Sequence, residues 1–306
     1  MKGFSSYSSW LESRYGAKTY RVPVDAGFSC PNRGPERETG GCSFCGNSGA
    51  RAPYLAADTA ACREASIAAQ IQGGIAFLRK RYNARCFLLY FQAFTGTYAP
   101  AAELKRLYDY ALSLADFRQL IVSTRPDCVD QEKAALLADY RNPGREVWVE
   151  LGLQSAQEKT LRRIRRGHGL AEFQEAFSIL RGHGIKIAVH LIFGLPGENT
   201  REIETTLKYL AQLKPEGVKI HNLHIPHGTP LAREFLAGEL SLPCAARHIQ
   251  YILRAREILP PQTLFMRYIC DTPPGGLAYP RHFPEKARFL HELDAEALRA
   301  CSEFHL

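Results

Sequence analysis

The 306-residue chain contains 45% hydrophobic and 23% charged side chains, a composition that is ordinary for a folded globular protein and excludes extensive disorder. No segment reaches the roughly 18 uninterrupted apolar residues of a membrane span, and the first residues lack the apolar centre of a signal peptide. The formal charge of +8 favours a polyanionic partner such as RNA, although enzymes for phosphorylated or acidic substrates are often equally basic. We therefore predict a cytoplasmic protein without a membrane partner, and we expect its nine cysteines to be reduced thiols.

From about residue 19 onward, apolar strand-like runs alternate with longer amphipathic helical stretches, which indicates parallel βαβ units. Their β-branched and aromatic content, with few charges, is typical of strands covered on both faces. Six strand-helix units without a gap predict an α/β fold with a partial or closed (β/α) barrel, and an open doubly wound sheet is the alternative. The predicted strands are residues 20–28, 86–92, 119–123, 147–153, 186–193 and 218–225.

The chain divides into three parts on this interpretation. Residues 1–18 form an N-terminal segment, residues 19–261 form the barrel, and residues 262–306 form a C-terminal extension. The extension has the pattern of a last strand, a proline- and glycine-rich loop and a terminal helix, and we expect it to pack on the barrel rim. Within the barrel, Asn199 followed three residues later by Glu202 predicts a capping box at the start of a helix.

Three cysteines lie close together just past the first predicted strand, in "GFSCPNRGPERETGGCSFCGN". Cys30, Cys42 and Cys45 could bind a metal, but a structural zinc site normally has four nitrogen or sulfur ligands, and no fourth is evident nearby. Three thiolates suit a 4Fe-4S cluster whose fourth iron is left for a small molecule. The position at a strand end, where parallel barrels place their chemistry, favours the cluster, and zinc stays open as the alternative.

Several motifs occur together in the order and spacing of a known family. They are "GFSCPNRGPERETGGCSFC", "YFQAFTGTYAP", "STRPDCV", "VWVELGLQSAQEKTLRRIRRGH", "HLIFGLPGE" and "KIHNLHI". On these motifs the chain, from about residue 10 to 300, resembles the YhcC-like branch of the radical SAM superfamily, which is similar to the catalytic subunit of Elongator. The resemblance implies a partial (β/α)6 TIM-like barrel with a short C-terminal extension.

The resemblance also implies an activity and its cofactors. Radical SAM enzymes reductively cleave S-adenosylmethionine at a 4Fe-4S cluster to make a 5′-deoxyadenosyl radical, and they need a one-electron donor such as flavodoxin or ferredoxin. Cys30, Cys42 and Cys45 match the ligands of the cluster. Phe44 matches the aromatic residue before the last cysteine, whose surroundings usually border the adenine of S-adenosylmethionine. The resemblance assigns no residue as a catalytic acid, base or nucleophile.

A second set of candidates follows the fourth predicted strand. Glu150 interrupts the apolar run "VWVELGLQ", and because an unpaired buried carboxylate is unfavourable, we expect it to face a ligand. Gln154 and Arg166 resemble the glutamine and arginine with which related enzymes hold the ribose hydroxyls and the carboxylate of S-adenosylmethionine, and the arginine fork suits a carboxylate. The remaining arginines of "RRIRR" are expected to lie on a helix surface.

Other candidates lie at the ends of the neighbouring strands. Thr124 and Asp127, in "STRPD", are expected at the rim, and a helix-capping role is the alternative for Asp127. Where many relatives carry Gly-Gly-Glu to hold the amino group of S-adenosylmethionine, this chain has "QAFTGT", and the substitute is Thr95, or alternatively Gln92 or Thr97.

Three histidines complete the candidates. His190 stands where some relatives place an aspartate toward the cofactor ribose, although a buried histidine within the core is the alternative. His221 and His224 are three residues apart at the end of the last predicted barrel strand, so they point to opposite faces and are not expected to bind one metal. We expect one of the two to face the barrel mouth and the other to be structural.

The substrate hypothesis is tRNA, with chemistry on a substituent at carbon 5 of the wobble uridine, as the likeness to Elongator implies. Such an enzyme must hold an unstacked base over the barrel mouth, and "RRIRRGH" and "RYICDTPPGGLAYPRHF" contain the basic and aromatic residues required. One alternative is the same radical chemistry on a small metabolite, as in porphyrinogen-oxidising relatives. Another is a zinc-stabilised nucleic-acid-binding protein without catalysis.

Overall fold

A curled parallel sheet organises the computed structural model, which describes residues 7–33, 40–46, 62–270 and 278–303. Within these residues, seven parallel strands pair in the order β1-β2-β3-β4-β5-β6-β8, and β7 and β9 form a separate antiparallel pair. The strands are β1 (Thr19–Val24), β2 (Cys86–Phe91), β3 (Phe117–Thr124), β4 (Glu146–Gln154), β5 (Lys186–Phe193), β6 (Gly217–Asn222), β7 (Ile225–Pro226), β8 (Leu264–Arg267) and β9 (Ala278–Tyr279).

Helices follow the strands and cover the outer face of the sheet. Outward-pointing side chains such as Val147, Val149 and Leu151 of β4 pack in the main hydrophobic core with residues of the helices. The residues that alternate with them, such as Trp148 and Glu150, face the interior of the barrel. The helices are α1 (Tyr7–Tyr15), α2 (Arg63–Tyr82), α3 (Ala101–Ser113), α4 (Gln131–Asp139), α5 (Glu158–Arg163), α6 (Leu170–Gly182), α7 (Thr200–Leu213), α8 (Pro230–Leu236), α9 (Ala245–Ile258) and α10 (Lys286–Glu303).

The sheet curls into a partial barrel, as contacts across its inner face show. Arg21 of β1 and Lys219 of β6 both lie 2.7 Å from the carboxylate of Glu150 on β4. Because neighbouring strands are separated by about 4.8 Å, side chains two and three strands apart converge on one carboxylate in this way only on a concave surface. Arg21 also approaches the sulfur of Met266 on β8, at 3.7 Å, so the two edge strands of the sheet come near each other.

Helix α1 covers the amino ends of the strands. Tyr7 donates a hydrogen bond to Gln119 (3.0 Å), and the ring of Trp10 packs edge-on against Trp148 (5.9 Å between centroids). Tyr7 and Leu11 join Trp148 in a small inner core that fills this end of the barrel. The described part of the N-terminal segment therefore closes one end of the barrel and leaves the carboxyl ends of the strands for chemistry.

The partial barrel and its six predicted strands are confirmed, but the first and the sixth strand end earlier than predicted. The first strand ends at Val24 rather than at residue 28, because Asp25 leaves the ladder to bond with Gln70, and the Asp25 carboxylate caps Gly27. The sixth strand ends at Asn222. The capping box at Asn199 is confirmed, since the Asn199 side chain accepts from the backbone of Glu202 and the Glu202 carboxylate accepts from the Asn199 N–H (3.1 Å).

The C-terminal extension contributes β8 to the sheet, where it pairs in parallel with β6. Its terminal helix is α10, which packs against α9. Residues 271–277 of its proline- and glycine-rich loop, like residues 1–6 of the N-terminal segment, lie outside the described residues. None of the helices in the described ranges combines the length and the apolar character that a membrane crossing requires.

Candidate functional site

The three clustered cysteines lie on the thiol loop, defined as residues 28–46, of which 34–39 lie outside the described residues. The loop folds back on itself: Gly41 donates to the carbonyl of Asn32 (2.6 Å), and Cys45 donates to that of Cys42 (2.9 Å). Gly40 has a φ of +73°, and a Cβ there would stand 2.5 Å from the carbonyl oxygen of Asn32. Glycine at this position therefore allows the two halves of the loop to meet.

The thiol loop is fixed to the carboxyl end of the barrel. Ser43 donates its backbone N–H to the carbonyl of Ile164 (2.8 Å), directly after α5. The Asn32 amide donates to the carbonyls of Arg165 (3.0 Å) and Arg166 (2.8 Å). These bonds hold the cysteines over the strand ends, where a (β/α) barrel places its chemistry.

The thiols are close enough to influence one another. Burial raises the pKa of Cys45; Arg33 opposes this rise, and the neighbouring Cys42 and Cys30 add to it. The sulfur of Cys42 also accepts from Asn32 (3.5 Å). Coordination to a metal centre favours the thiolate form of a cysteine and so would offset this rise.

The donor set suits an iron-sulfur cluster. Within the part of the chain that is described, no three His, Cys, Asp or Glu side chains are placed to hold a single metal ion. In a 4Fe-4S cluster each of three thiolates binds a different iron, and the thiol loop supplies three free cysteines. Cys30, Cys42 and Cys45 are therefore the residues that would hold it.

Arg166 connects the thiol loop to β4. Its Nη1 lies 3.6 Å from the sulfur of Cys42, and its Nη2 donates to the carbonyl of Gly152 (3.0 Å). A Cβ on Gly152 would stand 2.5 Å from that Nη2 and 3.0 Å from Nε2 of Gln154. The structure thus brings Gln154 and Arg166 together, and the missing side chain at Gly152 makes room for both.

A second arginine braces this arrangement. Arg125 donates to the Arg166 carbonyl (2.8 Å) and forms a bidentate pair with Asp127 (2.9 and 2.7 Å). Burial disfavours the charge of Arg125, but Asp127 and, more weakly, Cys30 and Cys42 raise its pKa. Asp127 therefore orients Arg125 beside the thiols.

The alternative in which Asp127 caps a helix is wrong. Asp130 caps α4, with its side chain accepting from the backbone of Lys133 at 2.9 Å. The hydroxyl of Thr124, the other candidate of this stretch, is buried and lies 2.6 Å from that of Thr97. Thr97 also donates to the carbonyl of Cys128 (2.7 Å), so both threonine hydroxyls are engaged within the protein.

Four buried polar atoms near the carboxyl ends of the strands lack a hydrogen-bond partner among the described residues. They are Thr95 Oγ1, Arg166 Nε, His168 Nε2 and His221 Nε2. Buried polar atoms in native proteins are normally paired, so such a group marks a place where a ligand or water is expected. Of the three predicted substitutes for Gly-Gly-Glu, Thr95 has the unpaired hydroxyl, whereas Thr97 is bonded.

The backbone is strained at the same end of the barrel. Phe94, Gln154 and Arg165 adopt positive φ values of 53°, 73° and 53°, a conformation that non-glycine residues rarely take. Gln154 lies at an irregularity in the pairing of β4 with β5. Strain of this kind persists where the surrounding structure enforces it, and it concentrates at functional sites.

Phe44 of the thiol loop packs near the carboxyl ends of β5 and β6. Phe44 is half-buried against a small apolar cluster that includes Ile192, Leu195, Leu223 and Leu231. One side of its ring is therefore supported by protein, and the side chain keeps some exposure. That combination suits a flat ligand held at the mouth of the barrel.

Glu150 lies deeper in the barrel and is already paired. It is fully buried, and besides Arg21 and Lys219 it accepts from Tyr90 (2.5 Å) and contacts His190 Nε2 (2.8 Å). Burial alone would raise the pKa of Glu150, but Arg21 and Lys219 outweigh it and hold the pKa well below its usual range. The inference that Glu150 needs a ligand to satisfy its charge is therefore corrected.

His190 belongs to the same inner cluster. Burial, with the nearby charge of Lys219, lowers its pKa to about 4, so the ring is neutral and bonded to Glu150. Its ring stacks on that of His221, with centroids 5.8 Å apart. His221 is a β6 residue and faces the barrel interior with His190, whereas His224 lies beyond the end of β6.

Sequence reasoning missed the cationic members of the inner cluster and His168 at the rim. Arg21 and Lys219 each occur as a single charge in a short buried strand, "TYRVPV" and "GVKIHN". A single charged residue that alternates with outward-facing core residues along a strand indicates that its side chain faces the barrel interior, and this signal was available in the sequence. His168 stands beside Arg166 and Arg125, and burial together with their charges lowers its pKa to about 3.

Comparison with known proteins gives family matches over most of the chain. The radical SAM superfamily matches residues 36–210, more than half of the chain, and the radical SAM C-terminal domain matches residues 215–299. Protein YhcC of Escherichia coli (strain K12) is 40% identical over 262 residues, which cover 84% of this chain and 80% of that protein. The predicted resemblance to the YhcC-like branch is confirmed.

More distant relatives match about half of the chain. The oxygen-independent coproporphyrinogen-III oxidase-like protein HemZ of Bacillus subtilis (strain 168) is 29% identical over 160 residues, 50% of this chain and 31% of that protein. A tRNA uridine(34) acetyltransferase of Methanocaldococcus infernus is 28% identical over 158 residues, 50% of this chain and 29% of that protein. The solved structure of Methanocaldococcus infernus Elp3 shares the fold, with a TM-score of 0.59 at 18% identity over 81% of this chain and 55% of that one.

Proposed function

The chain belongs to the radical SAM superfamily, and from this premise we propose that Cys30, Cys42 and Cys45 bind a 4Fe-4S cluster for a radical reaction in the cytoplasm. Enzymes of this superfamily use the cluster and S-adenosylmethionine to supply a 5′-deoxyadenosyl radical. The observation that carries the proposal is the docking of three mutually interacting thiols over the carboxyl end of a partial barrel. A small electron-transfer protein such as flavodoxin or ferredoxin is the proposed reductant.

Residues around the thiol loop are proposed to hold S-adenosylmethionine. Arg166 presents a buried guanidinium beside Cys42, which suits the carboxylate of the ligand. Gln154, beside it, suits the ribose hydroxyls, and Phe44 suits the adenine ring. Thr95 is the proposed contact for the amino group, because its buried hydroxyl has no partner among the described residues.

The Gly152→Ala substitution tests this assignment. The new Cβ would displace the Arg166 guanidinium and the Gln154 amide, so we expect the affinity for S-adenosylmethionine to fall by about tenfold or more. Equilibrium binding to the anaerobically reconstituted protein measures the change. Gly73→Ala is the matched control, because Gly73 lies in α2 with open space around it, and affinity there should not change. Equal affinity of the Gly152→Ala variant and the wild type would contradict the assignment.

The proposed substrate is tRNA, at the carbon 5 substituent of the wobble uridine. Support comes from the half-chain likeness to tRNA uridine(34) acetyltransferases and from the net charge of +8. In the stretch "RRIRR", Arg162, Arg163 and Arg165 are exposed and could contact phosphates, whereas Arg166 is buried beside the thiol loop. Arg165 is also adjacent to the thiol loop, since its carbonyl accepts from Asn32.

Retention on tRNA at low and raised salt tests the RNA proposal. Contacts to phosphates release counterions, so we expect binding at low salt that weakens by about tenfold or more at raised salt. Arg165→Gln should weaken binding at low salt, whereas Arg288→Gln, which alters an exposed arginine on α10 paired with Glu292, should not. Absence of binding at low salt would contradict an RNA substrate.

A small-molecule substrate is the second candidate, favoured by the likeness to the HemZ protein over half of the chain. Comparison of modified nucleosides in cells with and without the protein separates the two candidates. Loss of a modified wobble uridine on deletion supports the tRNA substrate. An unchanged set of nucleosides favours the metabolite.

A further inference from the structure

The inner cluster around Glu150 carries more positive than negative side chains. Arg21 and Lys219 already neutralise the Glu150 carboxylate from two sides, each at 2.7 Å. A third cation, Arg267, ends β8 and pairs in register with Lys219 of β6. The cluster therefore has a cation beyond those that its carboxylate engages.

Arg267 has no acidic partner among the described residues. Across the described ranges it forms no hydrogen bond and no ion pair, yet its charge influences several buried groups. Burial is the largest cause of the lowered pKa of Lys219 and of His190, and the charge of Arg267 lowers both further. Like charges repel one another in a barrel interior of low dielectric, so the arrangement favours an added anion.

His221 supplies a neutral polar group beside these cations. Burial, followed by the charges of Arg267 and Lys219, holds the pKa of His221 well below its usual range, so its ring is uncharged. Its Nε2 is buried and has no partner in the described chain. A neutral imidazole N–H next to a guanidinium is a combination that binds an anion by hydrogen bonding as well as by charge.

The cluster is open to small molecules from the barrel interior. The side chains of Arg21 and His190 are 22% and 16% exposed, and Arg267 and His221 are half-buried. His221 pairs in register with Ile192, which belongs to the apolar cluster that supports Phe44 of the thiol loop. His221 therefore lies below the part of the thiol loop that carries Phe44, and the charge of Arg267 acts on it there.

We propose that Arg267 and His221, with Lys219 beside them, bind an anionic group of the substrate, a carboxylate or a phosphate, inside the barrel. This inference rests on the proposed function, because it takes the barrel interior as the reaction chamber. To the proposed function it adds one property of the substrate: the group that enters the barrel is an anion. In a modified uridine the group would be an acidic substituent, and in a metabolite it would be a carboxylate or a phosphate ester.

Calorimetric titration with two small anions, acetate and inorganic phosphate, tests the proposal. The wild-type holoprotein should bind one of them at a saturable site, and the tighter of the two identifies the carboxylate or phosphate class. Arg267→Gln should weaken this binding by about tenfold or more, and Arg267→Lys, which keeps the charge, should restore part of it. Arg281→Gln, at an exposed arginine outside the cluster, is the matched control and should bind as the wild type does.

The outcomes separate this inference from the tRNA proposal. No saturable binding of either anion, or equal binding by Arg267→Gln and the wild type, would overturn the anion site. Arg267→Gln should remain folded, because the substitution removes an unpaired charge from a group of cations. If Arg267→Gln no longer bound the anion but still showed salt-dependent retention on tRNA, both proposals would be supported. If the wild-type protein were not retained on tRNA at all, only the tRNA proposal would be contradicted.

Discussion

Cys42→Ser should abolish reductive cleavage of S-adenosylmethionine, with a loss of more than about 100-fold relative to the wild type. Cys42 is the most buried of the three thiols, and it contacts both Asn32 and Arg166, which anchor the thiol loop to the barrel. Serine keeps the size of the side chain but does not supply a soft sulfur ligand for iron. Formation of 5′-deoxyadenosine by the reconstituted, chemically reduced protein measures the effect.

Cys62→Ser is the matched control for this prediction. Cys62 is exposed at the start of α2, outside the thiol loop, and the proposal gives it no role. This variant should cleave S-adenosylmethionine at the wild-type rate. Cleavage that survived in the Cys42→Ser variant would contradict the assignment of the cysteines.

Glu150→Gln should lower the free energy of unfolding by about 3 kcal/mol, because it leaves buried cations without their counter-ion. Glu150 is fully buried, and Lys219 beside it keeps only 4% of its exposure. Burial already lowers the pKa of Lys219 to about 7, so release of its proton in the variant limits the loss. Urea unfolding of both proteins at neutral pH measures the difference.

Glu292→Gln is the control for the buried pair. Glu292 pairs with Arg288 on α10, where the arginine side chain is 76% exposed, and such surface pairs contribute about 0 to 1 kcal/mol. A Glu150→Gln/Lys219→Met double variant should be more stable than Glu150→Gln alone, because it also removes the stranded cation. If Glu150→Gln were no more destabilising than Glu292→Gln, the inner cluster would not be an electrostatic unit.

The barrel and the thiol loop could be predicted because their signals are local in sequence. Apolar strand runs alternate with helical runs, and Cys42 and Cys45 stand two residues apart on a glycine-rich loop. The capping box at Asn199 is local for the same reason. The C-terminal extension is less local: its strand β8 extends the sheet only because it lies beside β6, about 45 residues earlier in the chain.

The inner cluster could not be predicted because its partners come from different strands. The sequence around Glu150 shows a buried carboxylate, but Arg21 and Lys219 are 129 and 69 residues away from it. The alternation along each strand indicates that these side chains face the barrel interior. Their contact depends on the curvature of the sheet, which the sequence of one strand does not show. Asp127 shows a similar limit, since its pairing with Arg125 depends on a short turn rather than on a helix start.

The central claim is that three thiols of this chain hold an iron-sulfur cluster with one iron left for S-adenosylmethionine. Metal and sulfide analysis after anaerobic purification and reconstitution tests it most directly, together with electron paramagnetic resonance of the reduced protein. We predict about four irons and four sulfides per chain and a spectrum that changes when S-adenosylmethionine is added. Zinc without iron or sulfide, or a cluster whose spectrum is indifferent to S-adenosylmethionine, would contradict the claim.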